Sequence, residues 1–274
     1  MRHLLLALAL STLTCTAFAQ SPTEDAPGNA PFVMGAVHKI ASRQLTETRT
    51  INIYLPDGYK TNDTVYYPVI YLLDGSANED FVHIAGLVQF FNMMQLMPPA
   101  IVVGIANIDR KRDFTFPTTI EKDKTAFPTT GGSEKFISFI EQELQPFIEK
   151  NYRTNSSKTI IGQSLGGLLA TEVLYKKPAL FNNYIIVSPS LWWDAQSLLK
   201  LKPEFAKAAQ NTNIYLAVGK EGEVMERDAK ELSKIVKSNK SFNTTFHYMP
   251  DEDHATILHH AVYDAFKEVL SKTN

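Results

Sequence analysis

Gly162-Gln163-Ser164-Leu165-Gly166 lies between two segments of different period, and few backbones satisfy both. Upstream, Thr159, Ile160 and Ile161 form a β-branched run that reads as the end of a buried strand. Downstream, Leu165, Leu168, Leu169 and Val173 recur at helical spacing. A chain that passes from strand to helix so abruptly must turn sharply. Small residues two before and two after Ser164 let the two elements approach without collision. A serine at such a turn projects its hydroxyl above the sheet, and the helix start offers free N–H groups and a positive dipole end. Those are the conditions for a nucleophilic serine with an oxyanion site beside it.

The rest of the chain supplies the sheet. Strands are predicted at 32–40, 48–55, 68–73, 100–105, 184–187, 214–218 and 244–248, besides the one that enters the turn. Helical periodicity predicts helices over 79–95, through Phe136–Ile148 with a kink or restart at Pro146, around Met225–Val236, and at Val262–Val269. The basic stretch Asp109–Pro128, with Pro117 and Pro128, reads as a long loop over the active face. Apolar strands alternating with helices describe an α/β fold with a mostly parallel sheet covered on both faces. Right-handed crossovers then gather the strands' C-terminal ends on one side, where ligands bind. Asp74-Gly75-Ser76, Gln163-Ser164, Ser188–Asp194, Lys220-Glu221 and Asp251–His254 all follow strand ends.

A serine needs a base, and in this topology the order is serine, acid, histidine. Four of the seven histidines follow Ser164. His247 falls inside a strand, and His259 and His260 begin the last helix. His254, in the loop after the last strand, is the expected base. Glu221, directly after the penultimate strand, is the preferred acid, with Glu223 as the alternative and Asp194 and Asp228 further outside. The oxyanion is expected to meet the backbone N–H groups of Leu165 and Ser76. Asp251, Asp253, His254, His259 and His260 lack the His-Glu-x-x-His register, so no metal site is assigned and no cofactor is expected.

Residues 1–19 read as a secretory signal peptide: Arg2, the apolar run Leu4–Leu10, and Ala17-Phe18-Ala19 before cleavage at Gln20. The run is too short to span a bilayer. Cys15 raises the question of lipid attachment, but Leu13 and Thr14 fit it poorly. Cleavage at Gln20 removes the chain's one cysteine, and with it any disulfide or thiolate site. Residues 20–31 form a flexible leader and 32–274 the catalytic domain, with the periplasm as the expected destination. A net charge of −2 gives no electrostatic reason for a nucleic-acid or anionic-membrane partner.

Tyr71-Leu72-Leu73-Asp74-Gly75, Gly162–Gly167, Ser188-Pro189-Ser190-Leu191-Trp192-Trp193-Asp194 and Asp253-His254 together resemble the Putative esterase family of α/β-hydrolases. The similarity runs from about Phe32 to Leu270 and is nearest to the bacterial siderophore esterases of enterobactin and salmochelin type, a branch to which the Trp-Trp stretch points. It implies Ser164 as nucleophile, His254 as base, the Ser76 and Leu165 amides at the oxyanion, and no cofactor. Members differ in the acid, and some act through a serine–histidine pair. The implied partner is a small-molecule ester, with a ferric siderophore as one candidate. Arg110, Lys111 and Arg112 are then candidates to hold an anionic group, and Trp192 or Trp193 to stack on an aromatic ring, with Trp193 preferred and one tryptophan in the core. The residues leave open a simple acyl ester, a sugar ester or a thioester. Acyl transfer and a silent ligand-binding protein are the competing functions. The first differs only in what attacks the acyl-enzyme. The second calls for loss of the serine or histidine, and both are present.

Overall fold

A computed structural model describes residues 30–60, 64–209 and 211–271. The expected signal peptide, 1–19, and the leader up to residue 29 lie outside the described residues. The chain divides into a leading unit, Met1–Val33, and a body, Met34–Asn274. Of the leading unit, residues 30–33 are described, exposed and without regular structure.

The body is built on one eight-stranded sheet in the order β1-β2-β4-β3-β5-β6-β7-β8. Its strands are β1 (Ala36–Ser42), β2 (Glu47–Tyr54), β3 (Tyr67–Leu72), β4 (Ile101–Ile105), β5 (Thr154–Gln163), β6 (Asn183–Val187), β7 (Thr212–Gly219) and β8 (Phe242–Met249). From β4 to β8 every pairing is parallel, while β1 and β2 add an antiparallel edge. The helices are α1 (Phe81–Met93), α2 (Arg110–Phe114), α3 (Glu121–Ala126), α4 (Ser133–Phe139), α5 (Gln145–Asn151), α6 (Leu165–Lys176), α7 (Ser197–Lys200), α8 (Glu223–Lys237) and α9 (Ile257–Ala265). Among the described residues no helix is long and apolar enough to cross a membrane.

The central strands β3, β4, β6 and β7 and the end of β5 are apolar on both faces because both are covered. Val69, Tyr71, Ile160, Tyr184, Ile186, Ile214 and Leu216 point into a core shared with α4, α5, α6 and α8. Their neighbours Ile70, Leu72, Ile161, Ile185, Val187, Tyr215 and Ala217 point into a second core under α1 and α9. The period-2 alternation of side chains explains why consecutive residues serve different cores. Near the start of the parallel strands, Asn243 donates to Asn213, Asn213 to Asn183, and Asn183 to Thr159, at 2.8–3.1 Å. These four positions are in register across β5–β8, so the ladder pins strand alignment.

Two expectations change. The first strand begins at Ala36 and runs to Ser42, because the hairpin that follows is tied to Glu143: Ser42 Oγ at 2.5 Å and the Arg43 amide at 2.8 Å both donate to its carboxylate. The segment 109–128 contains two short helices, α2 and α3, where a loop was expected. Asp109 caps α2 by accepting from the Arg112 amide at 3.0 Å. Fully buried Asp113 anchors α2 to β2 by accepting from Arg49 at 2.7 Å.

Candidate active site

Ser164 takes φ 60° and ψ −120° between β5 and α6, a conformation disfavoured for any residue with a Cβ. Glycine makes the turn feasible: a Cβ on Gly162 would lie 2.4 Å from the Gly166 carbonyl oxygen. The Ser164 amide donates to Val187 O at 3.1 Å, and its carbonyl accepts from Ser190 and Leu168. The serine backbone is thereby fixed on both sides, with Leu165 opening the helix directly behind it.

His254 enters from the loop after β8. Gln163 Nε2, next to the serine, donates to the His254 carbonyl at 2.5 Å, and Lys220 N donates to Glu252 O at 2.7 Å. These bonds fasten the loop to the ends of β5 and β7. A Cβ at Gly219 would stand 2.5 Å from Glu252 O, so the close approach needs glycine there. His254 Nδ1 is 2.5 Å from Glu221 Oε2. A carboxylate only accepts, so Nδ1 carries the proton and the Nε2 lone pair is left for a proton from a substrate or nucleophile. Glu221 also accepts from Gly219 N at 3.0 Å and, through a very short bond, from Ser188 Oγ. Burial pushes its carboxyl up, but the bonds from His254, Ser188 and Gly219 prevail and hold it below the usual range. Glu221 is therefore an anion at neutral pH, suited to orient an imidazole and stabilise it when protonated.

Two recesses meet at Ser164 and His254. The wider, about 600 Å³, is lined also by Ser190, Trp192, Lys220, Glu221, Met225 and Asp253. The narrower, about 370 Å³, is lined also by Asp74, Glu79, Asp80, Arg110 and Gln163. Arg110 is clamped by Asp74, with Nε–Oδ1 at 2.6 Å and Nη2–Oδ2 at 2.8 Å, and Nη2 reaches the Gln163 carbonyl at 3.3 Å. A fixed guanidinium thus lies in the narrower recess, which Ser164 also lines.

The other downstream histidines are occupied elsewhere. His247 stacks on Tyr215, His259 bonds His83 at 2.7 Å, and His260 bonds Glu252. Glu223 stands exposed in the first turn of α8. Asp194 accepts from Thr118 and Thr119, and Asp228 from Arg227.

Two expected substrate contacts need correction. Trp193 is fully buried and donates its indole N–H to Phe116 O at 2.9 Å, so it belongs to the core. Trp192 is the tryptophan that lines the wide recess, and adjacency alone gave no way to choose between them. Arg112 is held by Glu47 and Asp113 at 2.7 Å each and lines neither recess. Ser76 N–H donates to Glu79 Oε2 at 3.4 Å, so this amide already has an acceptor. Lys111 reaches Ala126 O and lies over the Phe127 ring. Lys220, one of the residues expected at a strand end, and Met225, from the first turn of α8, also line the wide recess.

A strained serine at a strand–helix turn and an acid-bound histidine at the last strand of a mostly parallel sheet define an α/β-hydrolase. The chain belongs to the Putative esterase family, whose model matches residues 42–272, and ester hydrolysis is the reaction of that family. It is 34% identical over 263 residues to the ferri-bacillibactin esterase BesA of Bacillus subtilis, covering 86% of this chain and 90% of that protein. An IroE-like serine hydrolase from Shewanella oneidensis superposes with a TM-score of 0.77 at 30% identity, covering 86% and 80% of the two chains. The BES protein from Bacillus cereus superposes with a TM-score of 0.79 at 29% identity, covering 90% and 99%.

Proposed function

We propose that the protein is an exported serine esterase that opens siderophore esters through an acyl-enzyme on Ser164. The observation that carries this reading is the 2.5 Å contact between His254 Nδ1 and Glu221 Oε2 at the recess shared with Ser164. His254 Nε2 takes the proton from Ser164 Oγ as the oxygen attacks the ester carbonyl. The resulting oxyanion meets the Leu165 N–H and the Arg110 guanidinium. The C–O bond to the alcohol then breaks, and His254 returns its proton to the departing oxygen. Water, deprotonated by the same imidazole, attacks the acyl carbon and releases a carboxylic acid and free Ser164. Ser76 N–H joins the oxyanion site only by leaving Glu79.

The substrate class rests on similarity to a protein named as a ferri-bacillibactin esterase. The wide recess fits it, since an aromatic residue, Trp192, and a cationic one, Lys220, both line it. Export rests on Arg2, the Leu4–Leu10 run and Ala17-Phe18-Ala19, with the periplasm as destination.

The test compares a ferric catecholate lactone, its iron-free form and p-nitrophenyl butyrate. The reading predicts that kcat/KM for one of the lactones exceeds that for the simple ester by about a hundredfold, as a few specific contacts allow. A preference for the butyrate over both lactones would overturn the substrate class and leave a general esterase.

A further inference from the structure

The two recesses differ in charge. In the wide arm Lys220 and Asp253 balance, and Glu221 is occupied by His254. The narrow arm holds three carboxylates, Asp74, Glu79 and Asp80, against one guanidinium, Arg110. Asp74 is neutralised by its two bonds to Arg110 and a third from Asn107 at 2.7 Å. Glu79 accepts from Asn107 at 3.0 and 3.1 Å and from Ser76 N. Asp80 differs. It stands at the start of α1, where its backbone bonds Asp74 O and Ile84 N, but its side chain makes no capping bond, and no hydrogen bond or ion pair engages its carboxylate among the described residues. A partly buried carboxylate without a partner, in a recess lined by the nucleophile and the base, acts on whatever part of the substrate enters there.

Building on the esterase reading above, we propose that Asp80 is a charge-selecting residue. Its carboxylate excludes anionic groups from the narrow arm and so fixes which half of an asymmetric ester lies on each side of Ser164. The anionic bulk of a substrate is thereby confined to the wide arm, beside Trp192 and Lys220. Like charges in a partly desolvated recess are screened far less than on the open surface. The groups that face Asp80 are Asp74 and Glu79 from the loop before α1, Arg110 from α2 and His254 from the loop before α9. His83, one turn further along α1, is turned to His259. Burial, with Asp74 and Glu79 adding to it and Arg110 opposing, pushes the Asp80 carboxyl up to about 6. The part of the selection that Asp80 supplies is therefore absent in acid, where its carboxyl is neutral, and complete above neutrality, while Glu79 stays an anion throughout.

Asp80→Asn isolates the charge, because asparagine occupies a helix N-cap position as readily as aspartate. Three aryl or alkyl esters serve as probes: one neutral, one with a carboxylate on the acyl half, one with a carboxylate on the alcohol half. The readout is the ratio of kcat/KM for each anionic ester to that for the neutral one, from pH 5 to pH 8. In the natural protein one of the two ratios should fall as pH rises through about 6. In Asp80→Asn that ratio should stay flat and stand about five- to tenfold higher at pH 8, the size of one removed like-charge contact. The other anionic ester should show the same ratio in both proteins. Ratios that move together, or neither moving, would overturn the proposal. A purely structural role for Asp80 would lower kcat/KM for all three esters alike, and that result also overturns it. If the natural protein hydrolyses none of the three, the esterase reading itself fails, and the charge selection falls with it.

Discussion

Ser164 holds a backbone conformation, φ 60° and ψ −120°, that a side chain makes costly and that the surrounding bonds enforce. Ser164→Gly is expected to raise stability by about 1 kcal/mol in urea denaturation, the lower end of what such strain costs, while abolishing ester hydrolysis. Unchanged or lowered stability would show that the turn is not strained. At the acid position, Glu221→Gln should lower kcat by roughly 10²–10⁴, since it unsettles the proton on His254 Nδ1. Glu223→Gln should stay within about twofold, as exposed surface changes do. A larger defect in the Glu223 variant would move the acid role there. Arg110→Met should cost about a hundredfold in kcat with little change in KM, the pattern of a group that acts on the oxyanion. A rise in KM alone would make Arg110 a substrate contact, as its sequence context first suggested. At this scale the gathering of Ser164, His254 and Glu221 at one recess was legible before the fold, because each follows a strand end in a fixed order. Arg110, Arg112 and Trp193 could not be assigned as securely. Which of three neighbouring bases finds a carboxylate in its own protein, and which of two neighbouring tryptophans turns inward, depends on Asp74, Glu47 and Phe116, all distant in sequence.

The elements that carry the site are held by packing from behind. α2 brings Arg110 to Asp74, and it is moored by Arg49 and Asp113, whose side chains are almost wholly buried. Removing one partner of such a pair leaves a buried charge uncompensated. Asp113→Ala should therefore lose about 3 kcal/mol or more in urea denaturation. A loss under about 1 kcal/mol would mean that Glu47 and the Ala106 carbonyl, which Arg49 also reaches, suffice to hold it. Helix α2 was illegible in sequence for a related reason. Five residues with three bases show no periodicity, and the helix exists because Asp109 caps it and Arg49 draws Asp113 inward. Helices α1, α8 and α9 were legible because each presents an apolar face long enough to show its period, and α6 because leucines and Val173 recur at helical spacing in a segment buried on all sides.

Over the whole molecule, the parallel order from β4 to β8 sets the strands' C-terminal ends along one rim, and Ser164, Glu221 and His254 follow three of those ends. That convergence was readable from apolar runs and the polar residues after them, since right-handed crossovers leave few alternatives. The antiparallel pairing of β2 with β4, and the asparagine ladder that aligns β5–β8, were not readable, because pairing partners leave no periodic trace in one sequence. The central claim is that this arrangement makes Ser164 a covalent nucleophile with His254 as its base. The most direct measurement is intact-mass spectrometry after a fluorophosphonate, with peptide mapping, on the natural protein, Ser164→Ala and His254→Ala. One phosphonyl adduct on Ser164 is predicted in the natural protein, none in Ser164→Ala, and labelling slowed by about a thousandfold or more in His254→Ala. An adduct on any other residue, or His254→Ala labelling at the natural rate, would contradict the account.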